Sequence, residues 1–239
     1  MKAVILCAGK GERLKPLTNN IPKPLLPIGG RPLLERHIER LKYYDVKKFL
    51  INLHYLPEKI IDYFQDGRSL GVSIKYYFEP KLLGTAGAIK SMQDELEDDN
   101  FFVVYGDNLN ECNFRELKEY HERKRGIATI AIFKKKGELK ESGVVLIDSD
   151  SRIIKFIEKP TEEELGNLNT KLVNAGIFVL SPEIFDFIPE DEYDFGRNLF
   201  PELIKKNKPL YAYNLNGVLI GIDTKEYYQR ANDYFNKGE

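Results

Sequence analysis

Residues 6–28 read LCAGKGERLKPLTNNIPKPLLPI, a short apolar strand running directly into a glycine-rich, basic loop. The pattern predicts a strand over residues 2–7 (KAVILC), a brief apolar run closed by small residues, as expected of a buried strand in a parallel sheet. Ala8, Gly9 and Gly11 leave the backbone bare where that strand ends, so main-chain N–H groups can approach an anion without interference from Cβ atoms. Arg13 and Lys15 follow, and Lys23 stands between Pro22 and Pro24, which is expected to hold it extended. This is the layout of a phosphate-handling loop.

The loop fits neither common nucleotide fingerprint. It lacks the Gly-Lys-Ser/Thr ending of a P-loop and the third glycine of a dinucleotide-binding turn. The whole string resembles the signature of the sugar-1-phosphate nucleotidylyltransferases, small-Ala-Gly-x-Gly-x-Arg-Leu-x-Pro-Leu-Thr followed by Pro-Lys-Pro. The resemblance continues in Leu83-Gly84-Thr85-Ala86-Gly87-Ala88, Val104-Tyr105-Gly106-Asp107-Asn108 and Phe156-Ile157-Glu158-Lys159-Pro160. Val173-Asn174-Ala175-Gly176-Ile177 and Phe200-Pro201-Glu202-Leu203-Ile204 also fall in family order, so the likeness spans residues 1 to about 228.

Element order agrees. After the first strand the pattern predicts helix 33–44, strand 48–53, helix 57–65, strand 72–78, helix 86–95 and strand 101–105, which is repeated βαβ. Residues 127–134, 143–148, 152–158 and 173–180 read as further strands with few helices between them, and Tyr227, Tyr228, Ala231 and Phe235 as the apolar face of a C-terminal helix. The expectation is an α/β fold, a Rossmann-like three-layer α/β/α arrangement with a mainly parallel mixed central sheet and an additional small sheet in the second half. A single domain over 1–239 is expected, with 1–110 as nucleotide-binding half and 111–239 as sugar-phosphate-binding half. No hexapeptide-repeat domain is expected, since the chain stops soon after its last motif.

Composition excludes several classes. The 239 residues are 42% hydrophobic, enough for a substantial core, and 36 basic against 37 acidic residues give a net charge of −1. No field draws the chain to nucleic acid, and no apolar run suits a signal peptide or a membrane span, so the cytoplasm is the expected compartment. Homo-oligomer formation is left open. Cys7 and Cys112 have no metal-ligand spacing, and His37, His54 and His121 make no cluster; His37 and His121 are expected at surface or satisfied positions.

The resemblance implies transfer of a nucleotide from a nucleoside triphosphate to a sugar 1-phosphate, with Mg²⁺ as cofactor. It implies that Ala8, Gly9, Gly11 and Arg13 cradle the triphosphate, that Lys23 touches the α-phosphate, and that Asp107 holds Mg²⁺. Gly84 and Thr85 would line the nucleotide, while Asn108, Gly143, Glu158, Lys159 and Asn174 would form the sugar-phosphate pocket. Such chemistry needs charge neutralisation and alignment rather than a general base, because the attacking phosphate is already ionised. Glu79, whose carboxylate can accept from N1–H and N2–H₂ of guanine, points to GTP, and mannose 1-phosphate is the first choice of sugar. UTP, dTTP, CTP or ATP, with glucose, heptose or N-acetylmuramate phosphates, remain alternatives. So does a catalytically weak regulator that binds a sugar nucleotide. A nucleotide-sugar glycosyltransferase would be expected to show Asp-x-Asp where this chain has Gly106-Asp107-Asn108.

One stretch departs from the family. Many members carry Gly-x-Trp-x-Asp-Ile-Gly-Thr, whose Asp is the second metal ligand, but here residues 217–224 read GVLIGIDT. Gly221 stands at the usual Asp position and Asp223 two residues on, about 7 Å away along an extended strand. Asp223 is expected to serve as the second ligand, the competing reading being a helix cap shared with Thr224.

Overall fold

The computed structural model describes residues 1–236. Along the chain lie β1 (Ala3–Leu6), β2 (Pro27–Ile28), β3 (Arg31–Pro32), α1 (Leu33–Tyr43), β4 (Lys48–Leu53), α2 (Pro57–Phe64) and β5 (Ser73–Phe78). Then come α3 (Gly84–Lys90), α4 (Gln93–Leu96), β6 (Phe101–Tyr105), β7 (Asn108–Asn110), α5 (Phe114–Lys124), β8 (Ala128–Lys134), β9 (Gly143–Ile147) and β10 (Ile153–Glu158). The chain closes with α6 (Glu162–Gly166), β11 (Leu172–Leu180), α7 (Phe200–Lys205), β12 (Leu210–Asn214), β13 (Leu219–Gly221) and α8 (Lys225–Asn236). The fold is α/β, a mixed sheet with helices on both sides and a small extra sheet.

Two compact units alternate along the chain. The first holds Met1–Leu82, Val104–Cys112 and the chain from Gly217 on; the second holds Leu83–Val103 and Asn113–Asn216. In the first unit β1, β4 and β5 pair in parallel, Ala3 opposite Phe49 and Lys48 opposite Ser73. The apolar runs of β1 and β4 are buried on both faces, as parallel strands covered by helices must be. A small antiparallel sheet of β7 and β13 sets Asn108 opposite Gly221. Leu14, Leu26, Ile28, Leu33, Leu109, Ile220, Ile222 and Ala231 form one buried cluster, against which Tyr228 and Phe235 of α8 pack. Tyr227 is exposed instead, so the apolar face of α8 is narrower than the sequence pattern suggests.

The second unit is chiefly antiparallel: β9 pairs β10, and β11 pairs both β8 and β9, while β12 runs parallel to β8. The strands of residues 127–180 belong to the nine-stranded sheet, and the small sheets are β7 with β13 and β2 with β3. The helix expected over 86–95 is broken into α3 and α4, where the Ser91 hydroxyl donates back to the Ala88 carbonyl at 2.7 Å. Strands β2, β3, β7, β12 and β13 and helix α7 are additions to the elements that periodicity alone picks out. Three-residue strands carry too little pattern to be read.

Candidate active site

In the first unit, the loop after β1 takes its shape from Gly11. Its φ of 63° lies in the left-handed region, and a Cβ there would come within 3.0 Å of Thr18 Cγ2. The Thr18 hydroxyl, fully buried, donates to the Gly11 carbonyl at 2.7 Å and fastens the loop. A 3₁₀ turn over Glu12–Leu14 then buries Leu14 and turns Arg13 outward. At Gly9 an added Cβ would meet nothing within 4 Å, so that backbone is open to a ligand rather than crowded by protein. Ala8 beside it is buried.

Lys23 begins a second 3₁₀ turn, Lys23–Leu25, so it is not extended as its place before Pro24 suggests. A short turn tolerates proline near its start, where a missing N–H costs no internal hydrogen bond. The turn buries Lys23 to 7% exposure and aims its ammonium at two carboxylates: Nζ donates to Asp107 Oδ2 at 3.1 Å and to Asp223 Oδ1 at 3.0 Å. Arg13 Nη2 lies 3.1 Å from the same Asp223 oxygen. Two cations and two carboxylates from four separate segments thus share one point.

Backbone contacts explain the convergence. The Gly106 N–H donates to the Leu6 carbonyl at 2.9 Å, and a Cβ on Gly106 would press within 2.7 Å of Cys7 Sγ, so only glycine lets Asp107 follow β6 so close to the end of β1. The Ile222 N–H donates to the Asp107 carbonyl at 2.7 Å, carrying the pairing of β7 with β13 one step further and delivering Asp223. Strand β13 ends at Gly221, so the extended-strand offset expected for Asp223 does not arise. A Cβ on Gly221 would stand 3.4 Å from Asp223 Oδ2. Thr224 Oγ1, not Asp223, accepts from the Tyr227 N–H at the start of α8, at 3.3 Å.

Two carboxylates that already converge on one cation are hard oxygen donors of the kind Mg²⁺ prefers. Among the described residues no group of three or more His, Cys, Asp or Glu could hold a metal, so an ion on Asp107 and Asp223 would take its other ligands from phosphate oxygens and water.

Glu79, expected to read the base, is held within the protein. It is 2% exposed, and its Oε1 accepts from Asn52 Nδ2 at 2.7 Å, while Asn52 Oδ1 accepts from the Cys7 N–H at 2.7 Å. The carboxylate thereby braces the ends of β1 and β4. Glu79→Gln keeps an acceptor for Asn52, and we expect an unchanged melting curve with relative kcat/KM values for different triphosphates preserved within about twofold. An altered triphosphate preference in steady-state assays would return Glu79 to the base. His37 and His121 are buried, not at the surface; burial lowers both to about 4 and keeps the rings neutral. His121 is held by Thr129 and Ser181, whereas His37 Nε2 has no hydrogen-bond partner. Asn110 Nδ2 donates to Asn108 Oδ1 at 3.1 Å, fixing that buried amide beside Asp107. Cys7 and Cys112 are buried, and burial pushes the Cys7 thiol up, away from nucleophile chemistry.

In the second unit, Gly84 has φ 73°, and a Cβ there would strike the Tyr193 carbonyl oxygen at 2.5 Å. That carbonyl accepts from the Ala86 and Gly87 N–H groups, and Thr85 Oγ1 accepts from the Phe195 N–H at 2.9 Å. Packing against residues 191–195 thus accounts for this glycine-rich segment. Glu158 lies opposite Gly143 in the pairing of β9 with β10. Its Oε2 would be 2.7 Å from a Cβ on Gly143 and 2.5 Å from one on Gly196, so both glycines make room for the carboxylate. Burial, then Asp194, raises its pKa. Gly196 belongs to a π-helical turn, Phe195–Leu199, that no sequence pattern announces. Lys159, at φ 53°, pairs with Glu141 at 2.9 Å on the surface, and Asn174 Oδ1 accepts from the Gly176 N–H at 2.8 Å within the irregularity of β11.

Residues 2–229 match the family model described as nucleotidyl transferase. A UTP–glucose-1-phosphate uridylyltransferase of Synechocystis is 39% identical over 97% of this chain and 62% of its own length. A mannose-1-phosphate guanyltransferase of Saccharomyces cerevisiae is 36% identical over 91% of this chain and 60% of its own length. The chain thus spans about three fifths of these curated relatives. The crystal structure of HddC from Yersinia pseudotuberculosis complexed with GMP-PN superposes with a TM-score of 0.81 at 27% identity, covering 98% of this chain and 99% of that one. No helix among the described residues is long and apolar enough to cross a membrane.

Proposed function

The chain belongs to the nucleotidyl transferase family, and from that premise we propose that it transfers a nucleoside monophosphate from a nucleoside triphosphate to a sugar 1-phosphate. A sugar-phosphate oxygen attacks the α-phosphorus, the bond to the β-phosphate oxygen breaks, and pyrophosphate leaves. The observation that carries the reading is the meeting of Arg13, Lys23, Asp107 and Asp223 at the end of the β1 loop.

Two polyanions repel, so the work of such a site is neutralisation and alignment. Open backbone at Gly9 and the turn at Gly11 receive the triphosphate, Arg13 balances charge gathering on the departing pyrophosphate, and Lys23 serves the α-phosphate. Asp107 and Asp223 would hold Mg²⁺, which when bound neutralises and orients phosphate oxygens. For the sugar 1-phosphate the family resemblance points to Lys159, with Glu158, Asn174 and Gly143 of the second unit, and separately to Asn108 of the first.

GTP with mannose 1-phosphate is the proposed pair. Its support is the Leu83-Gly84-Thr85-Ala86-Gly87 string, which resembles the guanylyl and adenylyl branches of the family more than the thymidylyl branch, together with the yeast relative's name and the GMP-PN carried by the HddC complex. The Synechocystis relative favours UTP with glucose 1-phosphate as second reading. Pyrophosphate release across a matrix of triphosphates and sugar 1-phosphates tests both. The highest kcat/KM is expected for GTP with mannose 1-phosphate; a maximum with UTP and glucose 1-phosphate selects the second reading, and no release from any pair overturns the reaction.

A further inference from the structure

We propose that the Lys23 ammonium is a built-in stand-in for the divalent cation, so that metal entry and the release of Lys23 toward substrate are a single exchange. Lys23 does not lie loosely in a basic loop. It is buried, and its Nζ donates to both carboxylates assigned to the metal, at 3.1 Å to Asp107 and 3.0 Å to Asp223. A cation of charge two cannot take those oxygens while the ammonium keeps them, because the exchange would otherwise crowd like charges within a few ångströms. Conversely, two carboxylates this close to one another need a cation between them.

The exchange has a direction. Before the metal arrives, Lys23 is spent on Asp107 and Asp223 and is not offered to a phosphate. Once the carboxylates turn to the metal, Lys23 loses both acceptors while remaining largely enclosed, and a phosphate oxygen is the partner that satisfies it. Arg13 shares only the Asp223 oxygen and is mostly exposed, so it follows rather than gates the change. The metal therefore both binds and arms the site. The inference rests on the proposed function for the metal on Asp107 and Asp223 and for the identity of the phosphate that receives Lys23.

Mn²⁺ alone, without nucleotide, is the probe, followed by electron paramagnetic resonance on the full chain. Lys23→Met keeps the length and removes the competing charge. Its Kd for Mn²⁺ should fall at least about tenfold below the parent's, and the gain should vanish in Lys23→Met/Asp107→Asn. Unchanged or weaker Mn²⁺ binding in a Lys23→Met chain that melts like the parent would overturn the proposal, whatever the activity matrix reports. If Lys23→Met fails to fold, the parent answers instead. With ¹⁵N-lysine label, the Lys23 Nζ resonance should move saturably as Mg²⁺ is added and stay still in Asp107→Asn; a resonance that ignores Mg²⁺ in the parent sinks the exchange.

Discussion

Asp107→Asn is expected to lower turnover by about two to four orders of magnitude while the chain melts within a few degrees of the parent. The amide still offers Lys23 Nζ an oxygen, so the 3.1 Å contact can persist in weaker form. The side chain is 44% exposed, so the lost ion pair costs little stability. What disappears is half of the anionic charge on which a divalent cation would rest. Steady-state pyrophosphate release at saturating Mg²⁺, beside a calorimetric melt, separates the two effects. Activity near the parent's would remove Asp107 from the proposed chemistry, and a collapsed melting curve would make it structural.

Asp107 was legible because it follows an apolar strand and a glycine, a pattern that places a carboxylate at a strand end. The buried strands were legible for a similar reason: β1, β4 and β6 are apolar runs with clear punctuation. What the amino-acid order could not carry is the meaning of contacts across long separations. Glu79 reads as a free carboxylate after a strand, yet burial against Asn52, 27 residues away, turns it into a brace. Gly84 resembles a nucleotide-lining glycine of the family, and the Tyr193 carbonyl excludes a side chain there. Gly196 had no signal at all, because its glycine is required by a carboxylate that arrives from β10. The family motif points to Lys23, but its grip on Asp223, 200 residues on, depends on the brief pairing of β7 with β13.

That pairing gives Asp223→Asn its force as a test. We expect this variant to need at least about tenfold more Mg²⁺ for half-maximal rate and to turn over about a hundredfold more slowly, with stability changed by no more than about 1 kcal/mol. Asparagine caps helices about as well as aspartate, and Thr224 already accepts the first-turn N–H of α8, so a capping role would leave the Mg²⁺ titration untouched. The position two residues earlier offers the converse experiment. An added Cβ at Gly221 stands 3.4 Å from Asp223 Oδ2, so a carboxylate there starts close to the space that the Asp223 carboxylate occupies. Gly221→Asp in the Asp223→Gly background should therefore recover part of the lost Mg²⁺ affinity, measured in the same titration. Gly221→Asp alone would crowd two carboxylates and raise the demand for a cation between them. Recovery in the double variant would mean that the site requires a carboxylate at that point in space and is indifferent to which residue supplies it. No recovery, with Asp223→Asn as active as the parent, would leave Asp223 as a counter-ion for Arg13 and Lys23 alone.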